Sequence, residues 1–422
     1  MGYDGGAASP FEIVKAVAAD VHIVFVVNPR AKADTLLAKL SDIADVVPYT
    51  TAAEVAERLR AIGRPCGITS FSESMLQSMS ALAAELSLEF HDEKAVLRLT
   101  NKTLQRQAMR AAGIPVPRFH AVKNGEDLLS ALAITGYPAV VKPVHGAGSC
   151  WTYRIDDPAG AARLVQDEHD VLRSGRSFQV EELLIGRDNA PFGDYISVES
   201  VAVDGHFTHL AVTGKFPLVW PFREIGDIWP ARILEGEASQ ALNVTSRALE
   251  AVGVRWGITH TELKLTASGP VIIEVNGRMG GLLEDLAQTA GRPSLIKIAI
   301  ETALGNRVTI PDYSTQGQVA FNFGNLVPLW AVELKDVQGL GVVRRMRGLR
   351  YRRLQHSGAH LSGGVGTQQL DLISGLADNY DSMFKNLKEA LSELAFYLTD
   401  KDNEVRKVSG LELPSASFLR SV

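Results

Sequence analysis

"HTELKLTASGPVIIEVNGRMGG", residues 260–281, is the stretch on which the fold turns. Ala267-Ser268-Gly269-Pro270 is a turn cluster between two β-patterned runs, so the stretch predicts a hairpin. With the turn centred near residue 268, mirror positions put Glu262 directly opposite Glu274. Like charges facing across a ladder destabilise it unless a cation sits between them. Asn276 shares the face of Glu274 by the period-two rule and adds an amide oxygen to the two carboxylates. That makes a hard, all-oxygen set suited to Mg²⁺ bound through phosphates. The same acids also fit a solvated hairpin face. Arg278, just past the strand end, is within reach of an anion there, or is a plain loop arginine.

Upstream, "PAVVKPVHGAGSCW", residues 138–151, sets Lys142 inside an apolar strand pattern, where a free ammonium is costly unless an anion meets it. Gly146, Gly148 and Ser149 then offer backbone N–H groups without bulky side chains, as a phosphate cradle would. The order is not that of a P-loop, in which lysine follows the glycines. A strand whose lysine reaches solvent beside a turn is the alternative. In "VEELLIG", residues 180–186, Glu181 and Glu182 end an apolar strand before Gly186. They fit either a hinge beside an adenine or two exposed acids. Lys102 alone reads as a surface lysine on a helix.

Farther out, residues 20–95 alternate strand and helix: "VHIVFVV", "KADTLLAKLSDIAD", "VVPYT", "AAEVAERLRAIG", "CGITSF" and "SESMLQSMSALAAELSL". This predicts a doubly wound α/β domain over 1–95, with no G-x-G-x-x-G after its first strand. An amphipathic helix, "LTNKTLQRQAMRAAG", and the extended "IPVPRF" open a second unit, 96–310. Its strands come in hairpin-like pairs, an α+β pattern with an antiparallel sheet and a lid subdomain at about 120–200. Residues 311–422 are expected to form an α+β lobe with strands "GQVAFNF", "GVVRRMRGLRYRRL" and "GTQQLDLISG" and one long helix, "NYDSMFKNLKEALSELAFYLTD".

The formal net charge of −5 gives no global attraction to nucleic acid or anionic membrane. The arginine run 344–353 alternates in part with Met346, Leu349 and Tyr351, as in a strand with one solvated face, so no nucleic-acid partner is expected. Two cysteines make neither a disulfide framework nor a thiolate metal site, and no apolar run approaches a membrane span. A cytoplasmic setting with no membrane anchor is the expectation.

Taken together and in order, the pieces resemble the ATP-grasp superfamily. The matches are "NKTLQRQAMRAAGIPVP", "YPAVVKPVHGAGS", "VEELLIG" and the acidic hairpin from Glu262 to Arg278, over roughly residues 20 to 310. The resemblance implies an ATP-grasp fold and ATP as cofactor with two Mg²⁺ ions, Mn²⁺ being an acceptable substitute. Lys102 and Lys142 would hold phosphates under the Gly146, Gly148 and Ser149 lid. Glu181 and the Leu183 backbone would hold adenine, with Glu182 and Leu184 beside them. Glu262, Glu274 and Asn276 would hold the metals. The ribose ligand stays open among Asp188, Asp194 and Glu199.

Within the superfamily, "DYISVESVAVDG" followed by Lys215 and "FREIGDIWPARI" resembles the L-amino acid ligase branch, except that Asp227 stands where many relatives carry histidine. The implied activity is an ADP-forming carboxylate–amine ligase passing through an acyl phosphate. Arg278 and Lys215 would spread developing charge, and Glu224 is either the group that recognises a substrate ammonium or a surface-loop acid. The partners implied are small carboxylates and amines, amino acids among them, and a second copy of the chain in a homodimer. A carboxylase or thiol-accepting enzyme, or a non-catalytic ATP-binding protein, is the rival.

Overall fold

The structure, a computed structural model, describes residues 1–17, 21–28, 40–123, 125–168, 172, 175–306, 308, 317–361 and 366–421. Its centre is an eight-stranded antiparallel sheet. In spatial order the strands are Gly269–Asn276, Gly257–Thr266, Tyr195–Val203, His206–Lys215, Gly226–Trp229, Val319–Leu326, Gln369–Ala377 and Leu349–Arg353. The alternation in "YISVE" explains how this sheet is used. Ile196 and Val198 pack on Ala241, Ala248, Leu249 and Val252 of the helix Glu237–Val252, while Tyr195, Ser197 and Glu199 point the other way. That helix starts and ends at left-handed glycines, Gly236 and Gly253, where a side chain would be strained.

A four-stranded antiparallel sheet covers the polar face. Its order is Phe119–Val122, Phe178–Glu182, Ala139–Pro143, Tyr153–Ile155. Ala139, Val141 and Val180 bury against Leu128, Leu132, Ala161 and Leu164 of its two helices. Period two therefore turns Lys142 and its cross-strand partner Gln179, with Glu181, toward the large sheet. This lid sheet closes at Glu182, short of the expected residue 200, and Tyr195–Val203 belongs to the central sheet.

At the N-terminus the parallel strands Gly2–Tyr3, Val24–Val27 and Asp45–Pro48 lie side by side. The expected strand at Cys66–Phe71 is one parallel bridge, Gly2 to Ser70. The expected helix 32–45 lies largely outside the described residues, and Asp45 begins a strand. The helix expected from Leu99 starts at Lys102, because the Asn101 side chain accepts from the Leu104 amide at 3.0 Å and caps it.

The central sheet crosses residue 310, since Val319–Leu326 pairs with Gly226–Trp229. The 311–422 segment thus completes the sheet and adds a second one, Ala359–His360, Ala331–Gln338, Ala395–Asp400 and Val405–Ser409. Two expectations there change. The run 341–354 is a short helix, Leu340–Val343, then a strand only from Leu349 to Arg353. The long helix stops at Glu393, and Ala395–Asp400 forms a strand whose Phe396 and Leu398 are buried. No helix among the described residues is long and apolar enough to cross a membrane.

Candidate active site

Between the lid sheet and the central sheet lies a cleft of about 880 Å³. One edge is the predicted hairpin, with Glu262 directly opposite Glu274 and His260 opposite Asn276. The turn itself has Thr266 facing Gly269, and an irregularity beside Leu263 leaves Ile273 as the extra residue of a bulge. The helix Lys102–Ala111 fixes this edge. Arg106 donates to the Ile273 carbonyl, and Gln105 bonds both the amide and the carbonyl of Val275, at 2.9 and 2.8 Å.

Each acid of the hairpin has a cation. The Lys102 ammonium lies 2.8 Å from Glu274 and donates to the Gly146 carbonyl at 2.7 Å. Burial opposes its charge, but Glu274 and Glu73 outweigh burial and hold its pKa above the ordinary lysine value. His260 bridges Glu199 at 2.5 Å and Glu262 at 3.2 Å. Burial pulls its pKa down, yet the two acids raise it to about 9. Burial likewise opposes ionisation of Glu262, but the His260 hydrogen bond and charge bring it to about 2.

Asn276 is 3% exposed and its Oδ1 has no hydrogen-bond partner among the described residues. Among the described residues no three His, Cys, Asp or Glu side chains converge into a ligand set. A cation here would therefore take two carboxylates and one orphaned amide oxygen from the chain, the remaining positions falling to phosphate or water. This donor set fits Mg²⁺, which keeps much of its shell outside the protein.

Across the cleft, Glu181 is 5% exposed and receives Arg106 Nε at 2.8 Å, Lys142 Nζ at 2.7 Å and Gln179 Nε2 at 2.6 Å. Burial would raise its pKa, but Arg106 and Lys142 lower it to about 2. Lys142 moves below the ordinary lysine value because burial, helped by repulsion from Arg106 and Lys102, exceeds the pull of Glu181. At the inner end, Lys215 pairs with Asp227 at 2.6 Å, both buried. Arg278 is held by Glu73 at 3.1 Å and by the Met279 carbonyl at 2.9 Å.

Residues 135–285 match the ATP-grasp domain family. The chain carries an ATP-grasp domain. Alanine–anticapsin ligase of Bacillus subtilis (strain 168) is 27% identical over 255 residues, 56% of this chain and 52% of that relative. The chain spans about half the length of that curated relative. The L-amino acid ligase from Bacillus licheniformis superposes with a TM-score of 0.77 at 20% identity, over 92% of this chain and 95% of that one. A biotin carboxylase from Campylobacter jejuni superposes with a TM-score of 0.64 at 15% identity, covering 98% and 92%. These likenesses show the ATP-grasp fold.

Of the residues the ATP-grasp resemblance nominated, Lys102, Lys142, Gly146, Gly148, Ser149, Glu181, Glu182, Leu183, Leu184, Lys215, Glu224, Glu262, Glu274, Asn276 and Arg278 all line the one cleft. Glu199 does not. It is 1% exposed, bonded to His260 and the Gly280 amide, and lies under the cleft floor. Asp188 caps the Ala190 amide and Asp194 pairs with Lys264, so none of the three ribose candidates lines the cleft. The Glu181 carboxylate is occupied by Arg106 and Lys142 and is no free acceptor for an adenine amine. The Leu183 amide is likewise spent on the Pro138 carbonyl at 3.2 Å. Lys215, expected to spread developing charge, is already matched by Asp227.

Sequence reading missed Arg106, Glu73, His260 and Tyr195, all of which line the ATP-grasp cleft. Arg106 was open to discovery, because Lys102, Gln105, Arg106 and Met109 repeat at helical spacing and are the buried face of their helix. Glu73 reaches the cleft from the N-terminal α/β unit, which no local pattern announces.

Proposed function

We propose that the chain is an ATP-dependent ligase that joins a small carboxylate to an amine, with amino acids as the substrate class. The observation that carries this reading is the facing pair Glu262 and Glu274 with the Asn276 oxygen, unpartnered among the described residues, in one cleft with Lys102 beside Glu274 and with Lys142 and the glycine loop on the lid side. Glu262, Glu274 and Asn276 would hold Mg²⁺, which when bound neutralises the phosphates against an approaching carboxylate. Lys102 would leave Glu274 for a phosphate as the metal arrives, so the pair seen here keeps both partners ionised beforehand. Lys142 is held at its place by Glu181 and needs no rearrangement to meet the same phosphates.

In the reaction, a carboxylate oxygen attacks the terminal phosphorus of ATP, ADP leaves, and an acyl phosphate forms. The amine then attacks the carbonyl carbon, inorganic phosphate departs with the former carboxylate oxygen, and the nitrogen loses a proton. Arg278, fixed by Glu73, would counter the negative charge on the acyl oxygens in both steps. The lid loop, whose Gly148 carbonyl accepts from the Thr367 amide at 3.0 Å, closes the cleft and protects the acyl phosphate from water.

Release of ADP from Mg·ATP with amino acids, singly and in pairs, together with product masses, tests the reading. A product equal to two substrates less water supports it. Turnover that needs bicarbonate or a thiol moves the chain to the carboxylase or thiol-accepting alternative. ATP binding with no turnover leaves a nucleotide-binding protein.

A further inference from the structure

Two separate walls of the cleft are tied to one residue of the C-terminal segment. The loop 216–225 joins the strands His206–Lys215 and Gly226–Trp229 and gives Leu218, Phe222 and Glu224 to the cleft wall. It is a tight hairpin, in which the Val219 and Arg223 amides donate to each other's carbonyls at 2.9 and 2.7 Å. Two bonds hang it on the C-terminal segment. Arg223 Nη1 donates to the Val327 carbonyl at 2.8 Å, and the Glu224 amide donates to Thr367 Oγ1 at 3.1 Å. The Val327 amide in turn donates to the Gln368 carbonyl at 2.9 Å, so the two attachment points are themselves tied together.

The glycine loop of the lid, residues 145–150, meets the same place from the other side. Its Gly148 carbonyl accepts from the Thr367 amide at 3.0 Å, and a Cβ on Gly366 would stand 3.2 Å from Cys150 Sγ. Thr367 therefore has two heads. Its backbone amide holds the glycine loop, and its hydroxyl holds the loop 216–225. Thr367 lies two residues before the strand Gln369–Ala377, with Gln368 bonded to Val327 between them, so it is a fixed base rather than a free tether. A glycine loop seated on the Thr367 amide orients the hydroxyl beneath the second loop.

We infer that Thr367 is a positioning residue that couples seating of the glycine loop to ordering of the loop 216–225, so that the cleft is covered and its far wall set together. This rests on the ligase reading and adds what ties ATP use to amide formation. Water attacking an acyl phosphate returns the carboxylate and releases inorganic phosphate and a proton, so ADP appears without amide. A cover and a wall that close as one leave no half-closed cleft in which that water could act. The coupling runs both ways, since whatever seats one loop favours the other by the same factor.

The test uses the full chain and its Thr367→Val and Thr367→Ser variants. Valine keeps the shape and the backbone amide but loses the hydroxyl acceptor; serine keeps the acceptor. Amide hydrogen–deuterium exchange is followed by mass spectrometry, with and without saturating Mg·ADP, over residues 145–150 and 216–223. The Glu224 amide is left out because valine deletes its own bond. In the parent and in Thr367→Ser, Mg·ADP should slow exchange of both segments by about fivefold or more. In Thr367→Val the slowing should persist at 145–150 and vanish at 216–223. With a carboxylate and amine pair that turns over, Thr367→Val should raise ADP released per amide by about threefold or more at unchanged KM for ATP, and Thr367→Ser should restore the parent ratio. Slowing at 216–223 that survives in Thr367→Val, slowing confined to 145–150 in the parent, or slowing of neither segment would overturn the inference. If exchange shows the coupling but no pair turns over, the ligase reading fails and the coupling stands.

Discussion

Glu262 and Glu274 stand directly opposite each other because Ile273 is a bulge. The turn pairs Thr266 with Gly269, a register that carried straight on would bring Ile273, not Glu274, opposite Glu262. One extra residue moves the acid onto its partner. The Ile273 carbonyl freed by the bulge is taken by Arg106, whose other bonds go to Glu181 on the lid sheet. A single arginine thus ties the hairpin edge of the cleft to its lid wall.

On the proposed reading, replacing one acid of the facing pair removes a donor to Mg²⁺ while the backbone ladder keeps its bonds. Glu274→Gln is expected to lower ADP release by about a hundredfold or more. Its far-ultraviolet circular dichroism should match the parent. Unchanged turnover would separate the hairpin from the chemistry.

Arg106→Met should cost stability, because it leaves Glu181 buried with one cation instead of two and strands the bulge carbonyl. A loss of about 3–5 kcal/mol in denaturant unfolding is expected. Adding Glu181→Met to the same chain should recover part of that loss, since the uncompensated charge goes with it.

His91 predicts a pH dependence. It is 2% exposed, its Nε2 lies 3.0 Å from the Gly277 carbonyl, and among the described residues its Nδ1 has no partner; burial lowers its pKa to about 4. Between pH 4 and the ordinary histidine value of 6.5 the unfolded chain binds the extra proton, so stability rises with pH across that window and is lost as pH falls through it. The full contribution is about 3 kcal/mol. Unfolding curves from pH 4.5 to 7.5 should show a slope that His91→Gln flattens; parallel slopes would contradict this.

Gly226 has φ +149°, and a Cβ there would stand 2.0 Å from the Asn322 carbonyl oxygen. Gly226→Ala must push the strand away from Val319–Leu326, at a cost of about 1–3 kcal/mol. Because Asp227 is the next residue, the Lys215 pair moves with it. A lower denaturation midpoint and altered substrate KM should appear together.

How much of this was legible follows from where each signal is stored. Glu262, Glu274 and Asn276 lie within one hairpin, so local alternation and a turn were enough to bring them together, although mirror counting reached the right pair only because the bulge supplied the missing residue. Lys142 was marked by its own incongruity in an apolar strand, yet its partner Glu181 is set by lid-sheet register, which no single segment encodes. None of the ribose candidates lines the cleft, for a similar reason: Glu199 lies on a strand buried on both faces, and its alternation sends it under the floor to His260. Ala395–Asp400 looked helical because it continues a helical pattern, and it becomes a strand because Ala331–Gln338 offers a partner. Tyr195 and Glu73 carry no local mark at all.

The central claim is that a carboxylate is activated as an acyl phosphate within this cleft. It is tested most directly by supplying the carboxylate substrate labelled with ¹⁸O on both oxygens and analysing the released phosphate by mass spectrometry. Activation as an acyl phosphate leaves one ¹⁸O in each phosphate released and one in the amide carbonyl. Amide formed alongside unlabelled phosphate, or release of AMP in place of ADP, would contradict it.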